Sequence, residues 1–174
     1  EGAFMIHDFY DSTHRVWFFI IFESMDQEIL DFWEYVGIVN TVHSDDSEWM
    51  DSYFERWGIH GITQLYTMAR PFTDPYEPSH SAEKCIVIRF KNGIDFLSPE
   101  SMNLVAHEAL HTVSFLWQQA RKEFDSSDDE EIAIDLGFVI ENILRGVRQY
   151  LPFTSKENRG LWDSISQAFN AYEN

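Results

Sequence analysis

Residues 102–120, MNLVAHEALHTVSFLWQQA, form the most strongly patterned stretch of the chain. Apolar side chains recur at the spacing of one helix face, and polar side chains take the opposite face. Ser98, Pro99 and Glu100 supply a cap, a first-turn proline and an acid at the positive end, so a helix is predicted from Pro99 to about Lys122. The apolar face comprises Met102, Val105, Ala106, Ala109, Val113, Leu116, Trp117 and Ala120, and the narrow polar face comprises Asn103, His107, His111, Ser114 and Gln118.

The rest of the chain alternates short strands and helices. Runs of aromatic and β-branched residues predict strands at 15–22, 62–69 and 85–90, and three prolines predict an irregular loop at 70–84. Helical spacing predicts further helices at 24–36, 44–57 and 161–172, and one that is capped by Ser127 or Asp128 and runs towards Tyr150. Together these elements predict one α+β domain over residues 1–174, with a small sheet packed on the patterned helix and on the helix that follows it.

Composition narrows the choice of partners. The chain has 30 acidic and 12 basic residues and a formal charge of −18, which disfavours nucleic acid and anionic membranes as partners. The acidic excess indicates either a preference for cationic peptides or, as the plainer interpretation, a solubilising surface. The single cysteine, Cys85, lies in an apolar run, so a buried thiol is predicted. The longest apolar run, residues 16–22, is too short to span a bilayer, and no signal-peptide pattern precedes it, so we expect a cytoplasmic protein.

His107, Glu108 and His111 carry the chemistry of the polar face. Because the two histidines are four residues apart, they stack on successive turns and can bind one metal ion from the same side. Glu108 projects about 100° away from His107, where it can take a proton from a metal-activated water without being a ligand. Leu104 and Phe115 border the polar strip, which indicates the floor of a cleft. The alternative is a pair of ordinary histidines on a helix surface.

A catalytic zinc ion needs a third protein ligand. Residues 126–144, SSDDEEIAIDLGFVIENIL, predict a helix whose first turn contains Glu130 and Glu131. Glu131 shares a stripe with polar residues and therefore lies on a solvent face. Glu130 shares its stripe with Ala133, Ile134, Gly137 and Leu144, which predicts a buried face. A carboxylate on a buried face needs a partner, and a metal ion is one, so the helix faces favour Glu130.

The His-Glu-x-x-His pattern and the later glutamate resemble the gluzincin branch of the zincin metallopeptidases, in which a second helix supplies the third zinc ligand. Aligning on the family's glycine, here Gly137, implies Glu130 as that ligand. Aligning on the family's Glu-x-x-x-Asp pattern implies Glu131, with Asp135 as a carboxylate that orients a histidine. The resemblance to the family leaves both alignments open.

A closer likeness is to small uncharacterised HExxH proteins encoded in bacteriophage genomes. The likeness is carried by HDFYDSTHRVWFFI at 7–20, CIVIRFKN at 85–92, AHEALH at 106–111 and DDEEIAIDLGF at 128–138. In those proteins the glutamate falls at the position of Glu130. A phage-encoded protein of this kind would act in the cytoplasm of the host cell or in the virion.

The resemblance implies a zincin-like fold with Zn²⁺ on His107, His111 and Glu130. The expected function is a zinc metallopeptidase that hydrolyses peptide bonds, with Glu108 as the catalytic proton acceptor. An extended peptide substrate is expected to add to the edge of the strand at 85–90. Two alternatives remain: a metal-stabilised binding or virion-associated protein in which Glu108 is a surface residue, and a metal-free interaction domain with a degenerate motif.

Overall fold

The described part of the chain has the mixed α+β arrangement expected, with a four-stranded sheet and two helices. The computed structural model describes residues 5–22, 60–91, 94–120 and 126–154. The helices predicted at 24–36, 44–57 and 161–172 lie outside these ranges.

All three predicted strands belong to one sheet, which contains one further strand. Its strands are β1 (Met5–Asp11), β2 (Val16–Phe22), β3 (Gly61–Thr73) and β4 (Ser81–Phe90). Their order across the sheet is β1-β2-β4-β3, with β2 and β4 parallel and both outer pairs antiparallel. Because β4 lies inside the sheet, both of its edges are paired. The expectation that a peptide adds to the edge of residues 85–90 is therefore wrong, and among the described strands β3 is the edge strand on that side.

Strand structure extends into the loop predicted at 70–84, because β3 includes Pro71 and β4 begins at Ser81. Pro71 lies within a shift of the β3–β4 register, between Thr67 and Phe72. Proline has no N–H to donate, so it is tolerated in a sheet at such irregularities and on edge strands. The irregular loop is therefore shorter than predicted and covers residues 74–80, which include Pro75 and Pro78.

The patterned stretch forms α1 (Pro99–Gln119), and α2 (Asp129–Thr154) follows a short 3₁₀ turn. The predicted start of α1 is confirmed, because the Ser98 hydroxyl accepts a hydrogen bond from the Ser101 N–H at 3.2 Å. Most of the predicted apolar face is also buried. Three of its members, Met102, Ala106 and Ala120, are exposed. Neither described helix is long and apolar enough to cross a bilayer.

The two helices run in opposite directions across the sheet. In α1, Glu108 contacts Gly61, which pairs with the end of β4, and Gln119 bonds Lys84 near the start of β4, so α1 is antiparallel to β4. In α2, Gln149 bonds His7, and Phe138 packs on Phe9 further along β1, so α2 is antiparallel to β1. Since β1 is antiparallel to β2 and β2 is parallel to β4, α2 is antiparallel to α1.

The main core lies between the two helices and one face of the sheet. It follows from strand alternation, because every second residue of β2 and β4 points towards the helices. Its buried members include Phe18, Ile20, Phe22, Ile86, Ile88, Phe90, Val105, Ala109, Val113, Leu116, Val139, Ile143 and Val147. The opposite face of the sheet is also buried, and includes Trp17, Phe19, Ile21, Cys85 and Val87. Burial of β2 and β4 on both faces explains why they read as continuous apolar runs.

Candidate metal centre

His107 and His111 lie together on the outer face of α1. Their Nε2 atoms are 3.0 Å apart, and the two rings meet edge to face with centroids 4.6 Å apart. Both side chains are exposed, so their ring nitrogens are accessible to an ion from solution. The structure therefore brings together the two histidines that the spacing of the motif predicted would meet.

Glu108, between the histidines in the sequence, has the opposite environment. Its side chain is only 3% exposed and points towards the edge strand β3. The Thr63 hydroxyl donates a hydrogen bond of 2.6 Å to Glu108 Oε2. The alternative view of Glu108 as a surface residue is wrong.

Gly61 lets β3 approach this carboxylate closely. A Cβ at position 61 would lie 3.1 Å from Cγ and Oε1 of Glu108 and 3.1 Å from Cδ1 of Leu104. Separations this short crowd a side chain, so glycine is the residue that fits without displacing Glu108. The edge strand thus touches α1 directly beside the motif.

Glu130 does not lie on a buried face. It is exposed, as are Ala133, Ile134 and Gly137, and Ile134 is 63% exposed. A Cβ added at Gly137 would meet no atom within 4 Å, so the small residues of this stripe do not mark a close helix contact. The buried face of α2 instead contains Val139, Ile143, Gly146 and Val147. The prediction that Glu130 lies on a buried face of the helix is therefore wrong.

The two helices also place Glu130 and the histidine pair at different levels. The Trp117 indole N–H donates to Asp135 Oδ2 at 2.8 Å and so aligns the helices at that level. His111 lies six residues before Trp117, and Glu130 lies five residues before Asp135. In antiparallel helices rising about 1.5 Å per residue, these offsets put His111 and Glu130 roughly 16 Å apart along the axes. Neither Glu130 nor Glu131 joins the histidines, and no cluster of three potential ligands occurs among the described residues.

Asp135 has structural partners in this arrangement. Besides the indole of Trp117, it lies 3.9 Å from Nε2 of His14, whose Nδ1 is 2.7 Å from Asp11. The carboxylate thus connects α2 to α1 and to the turn after β1. One family alignment implied that Asp135 orients a motif histidine. In the described part of the chain, Asp135 instead contacts Trp117 and His14.

Two further features bear on the chemistry of the site. Burial raises the pKa of the Cys85 thiol to about 12, so this cysteine is not a thiolate nucleophile at neutral pH. A cavity of about 350 Å³ opens at the start of α1, with Leu104, one helical turn before Glu108, in its wall. Its other lining residues are His60, Lys91, Ile94, Asp95, Glu100 and Ser101.

Sequence reasoning missed Thr63 and Gly61, the two residues of β3 that contact Glu108. Thr63 lies in the strand predicted at 62–69 and Gly61 lies just before it. Neither belongs to a motif, and only the strand order brings β3 to α1. Comparison with protein-family models, with curated proteins and with solved structures finds no match to this chain.

Proposed function

We propose that the protein is a zinc-dependent peptide hydrolase in which His107 and His111 bind the metal ion and Glu108 accepts a proton. The observation that carries this proposal is the 3.0 Å separation of the two Nε2 atoms on an exposed helix face. Without an ion, a hydrogen bond from one Nε2–H to the other Nε2 holds the two rings at this distance. A metal ion would take the place of that proton and bind both lone pairs.

The histidine pair fits zinc in both ligand type and spacing. At zinc–nitrogen distances of about 2.0–2.1 Å, two nitrogens of a tetrahedral site stand roughly 3.3 Å apart. A small outward movement of the two rings would therefore admit the ion. The pair accounts for two positions, and the described residues supply no third. Glu130 could fill that position only if α2 moved relative to α1, because in the described arrangement it does not join the histidines.

A bound zinc ion would supply Lewis-acid chemistry, polarising a substrate carbonyl and making a water molecule more acidic. Glu108 would take the proton of the attacking water and pass it to the leaving amine. Glu108 is next to His107 in the chain and three residues before His111, while its carboxylate faces β3. The sheet ends at β3 within the described part of the chain, so an extended peptide could add to that edge beside Glu108.

Zinc titration of the purified protein tests the metal half of the proposal. We expect about one zinc ion per chain, and a loss of at least roughly 10–100-fold in affinity for His111→Ala, since even residues that only support a ligand cost that much. Asn103→Ala is the matched control, because Asn103 is another exposed polar residue of the same face. Equal affinity of parent and His111→Ala would contradict the proposal. Cleavage of an unstructured peptide library by the zinc-loaded parent tests the hydrolytic half.

One observation favours a second function, a metal-stabilised binding protein without turnover. Glu108 is buried and hydrogen-bonded, as a purely structural carboxylate would be. In that case zinc binds and raises the melting temperature, but the loaded protein cleaves no peptide. The library experiment therefore separates the two functions.

A further inference from the structure

The contact between β3 and α1 is concentrated on the carboxylate of Glu108. Gly61 and Thr63 lie two residues apart on β3, so both face the helix. Gly61 borders the Oε1 side of the carboxylate, and the Thr63 hydroxyl reaches Oε2 at 2.6 Å. The strand thus bonds the carboxylate through Thr63, and the missing side chain at Gly61 leaves room for it.

The hydroxyl proton of Thr63 goes to the carboxylate and not to the helix backbone. Thr63 Oγ1 is also 3.3 Å from the carbonyl oxygen of Glu108, but that oxygen already accepts the Thr112 hydroxyl at 2.9 Å. Since a hydroxyl has one proton, the shorter contact to the charged oxygen takes it. This bond occupies Oε2. Among the described residues no hydrogen bond reaches Oε1, which leaves that oxygen able to accept a proton.

We propose that Thr63 is a positioning residue that fixes the carboxylate of Glu108 for proton transfer, an inference that rests on the proposed function. A glutamate side chain has three rotatable bonds, and proton transfer requires its oxygen within about 2.6–3.2 Å of the reacting water. The hydrogen bond from Thr63 restricts that freedom. Thr63 would act through Glu108, because in the described part of the chain its side-chain hydrogen bonds go to that residue alone.

Two substitutions at Thr63 and one at Thr112 test this role. Thr63→Val keeps the shape of the side chain and removes the hydroxyl, and Thr63→Ser restores it. Thr112→Val is the matched control, because it removes a hydroxyl that bonds the backbone of Glu108 and leaves the carboxylate untouched. We expect kcat to fall about 10-fold to 100-fold in Thr63→Val, the range of a hydrogen bond to a charged group, with KM and zinc affinity nearly unchanged. Thr63→Ser and Thr112→Val should stay within about 3-fold of the parent, well below that loss.

Crystal structures of the metal-free parent and of Thr63→Val supply a readout that does not depend on activity. The carboxylate of Glu108 should lie beside β3 in the parent and leave that position in Thr63→Val. An unmoved carboxylate, or an equal loss of kcat in Thr112→Val, would overturn the inference. If the parent cleaves no peptide, the proposed function fails, and the two crystal structures still decide whether Thr63 holds Glu108.

Discussion

At the scale of single residues, the motif combines two opposite environments in five positions. His107 and His111 are exposed, while Glu108 is 3% exposed. Successive residues of a helix point about 100° apart, so neighbours in the sequence can face water and a sheet respectively. The histidines keep their nitrogens available to an ion, and Glu108 is shielded from bulk water. This division suits a proton acceptor that must hold one position.

Glu108→Gln tests whether this carboxylate takes part in the reaction. Glutamine has nearly the same shape, and its amide oxygen can still accept the Thr63 hydroxyl, so the variant should fold and keep its zinc. It cannot accept a proton, and we expect hydrolysis to fall by about 10²–10⁴-fold. Peptide cleavage and zinc content are measured together. Glu141→Gln, a change at an exposed carboxylate paired with Arg145, is the control.

Loss of zinc from Glu108→Gln would mean that Glu108 belongs to the coordination network. An unchanged rate would mean that the activity belongs to another part of the chain.

At the scale of secondary structure, α2 shows why a helix face cannot be read from apolar residues alone. Apolar side chains occur all round this helix, and both Ile134 and Phe138 stay exposed. The buried face lies against β1 on one side and α1 on the other. Gly146 lies beside His7 of β1, and Asp135 accepts a hydrogen bond from Trp117 of α1. Glu130 lies nearly opposite that face, whereas Glu131 lies at its margin.

Alanine variants of the two glutamates test the third-ligand prediction. In the described arrangement neither Glu130 nor Glu131 joins the histidines, so we expect Glu130→Ala and Glu131→Ala to bind zinc as the parent does. The measurement is a zinc titration of all three proteins with a competing chelator. A loss of roughly 10-fold or more confined to Glu130→Ala, at least the effect of an indirect partner, would establish it as a ligand. In that case α2 would have to change its position on α1 when zinc binds.

At the scale of the whole molecule, β1 is attached to α2 by polar contacts at both of its ends. After β1, His14 lies between Asp11 and Asp135, and near its start His7 Nδ1 is 3.2 Å from Gln149 Oε1. Nε2 of His7 is buried and has no hydrogen-bond partner among the described residues. The pKa of His7 is lowered, mainly because burial disfavours the charged ring, while the bond to Gln149 opposes the shift.

This histidine gives the fold a defined dependence on pH. Its pKa is lower in the folded chain than the ordinary value of 6.5, so the unfolded chain binds the proton more readily. The contribution of a neutral His7 to stability is therefore present above pH 6.5 and decreases as the pH falls below it. We expect the free energy of unfolding, measured in urea, to decline less steeply below pH 6.5 in His7→Gln than in the parent. Parallel pH curves for the two proteins would contradict this.

Much of the fold could be predicted from local pattern. The strands at β2, β3 and β4, the cap at Ser98 and the span of α1 all follow from periodicity and capping chemistry, which act over a few residues. The meeting of His107 and His111 was predictable for the same reason, because both belong to one helix with a fixed pitch. The buried thiol of Cys85 followed from its apolar neighbours.

The sequence by itself determined the helix that carries the histidine pair and the strands that support it, since local spacing decides these features. Only the tertiary structure decided that β3 is the outer described strand beside Glu108, that Thr63 bonds its carboxylate, and that Glu130 lies on the exposed side of α2. These features depend on strand order and helix direction, which are set by contacts between residues about 45 positions apart in the chain, as for Thr63 and Glu108. No local pattern encodes such a contact, because the side chains involved have no fixed spacing in the sequence.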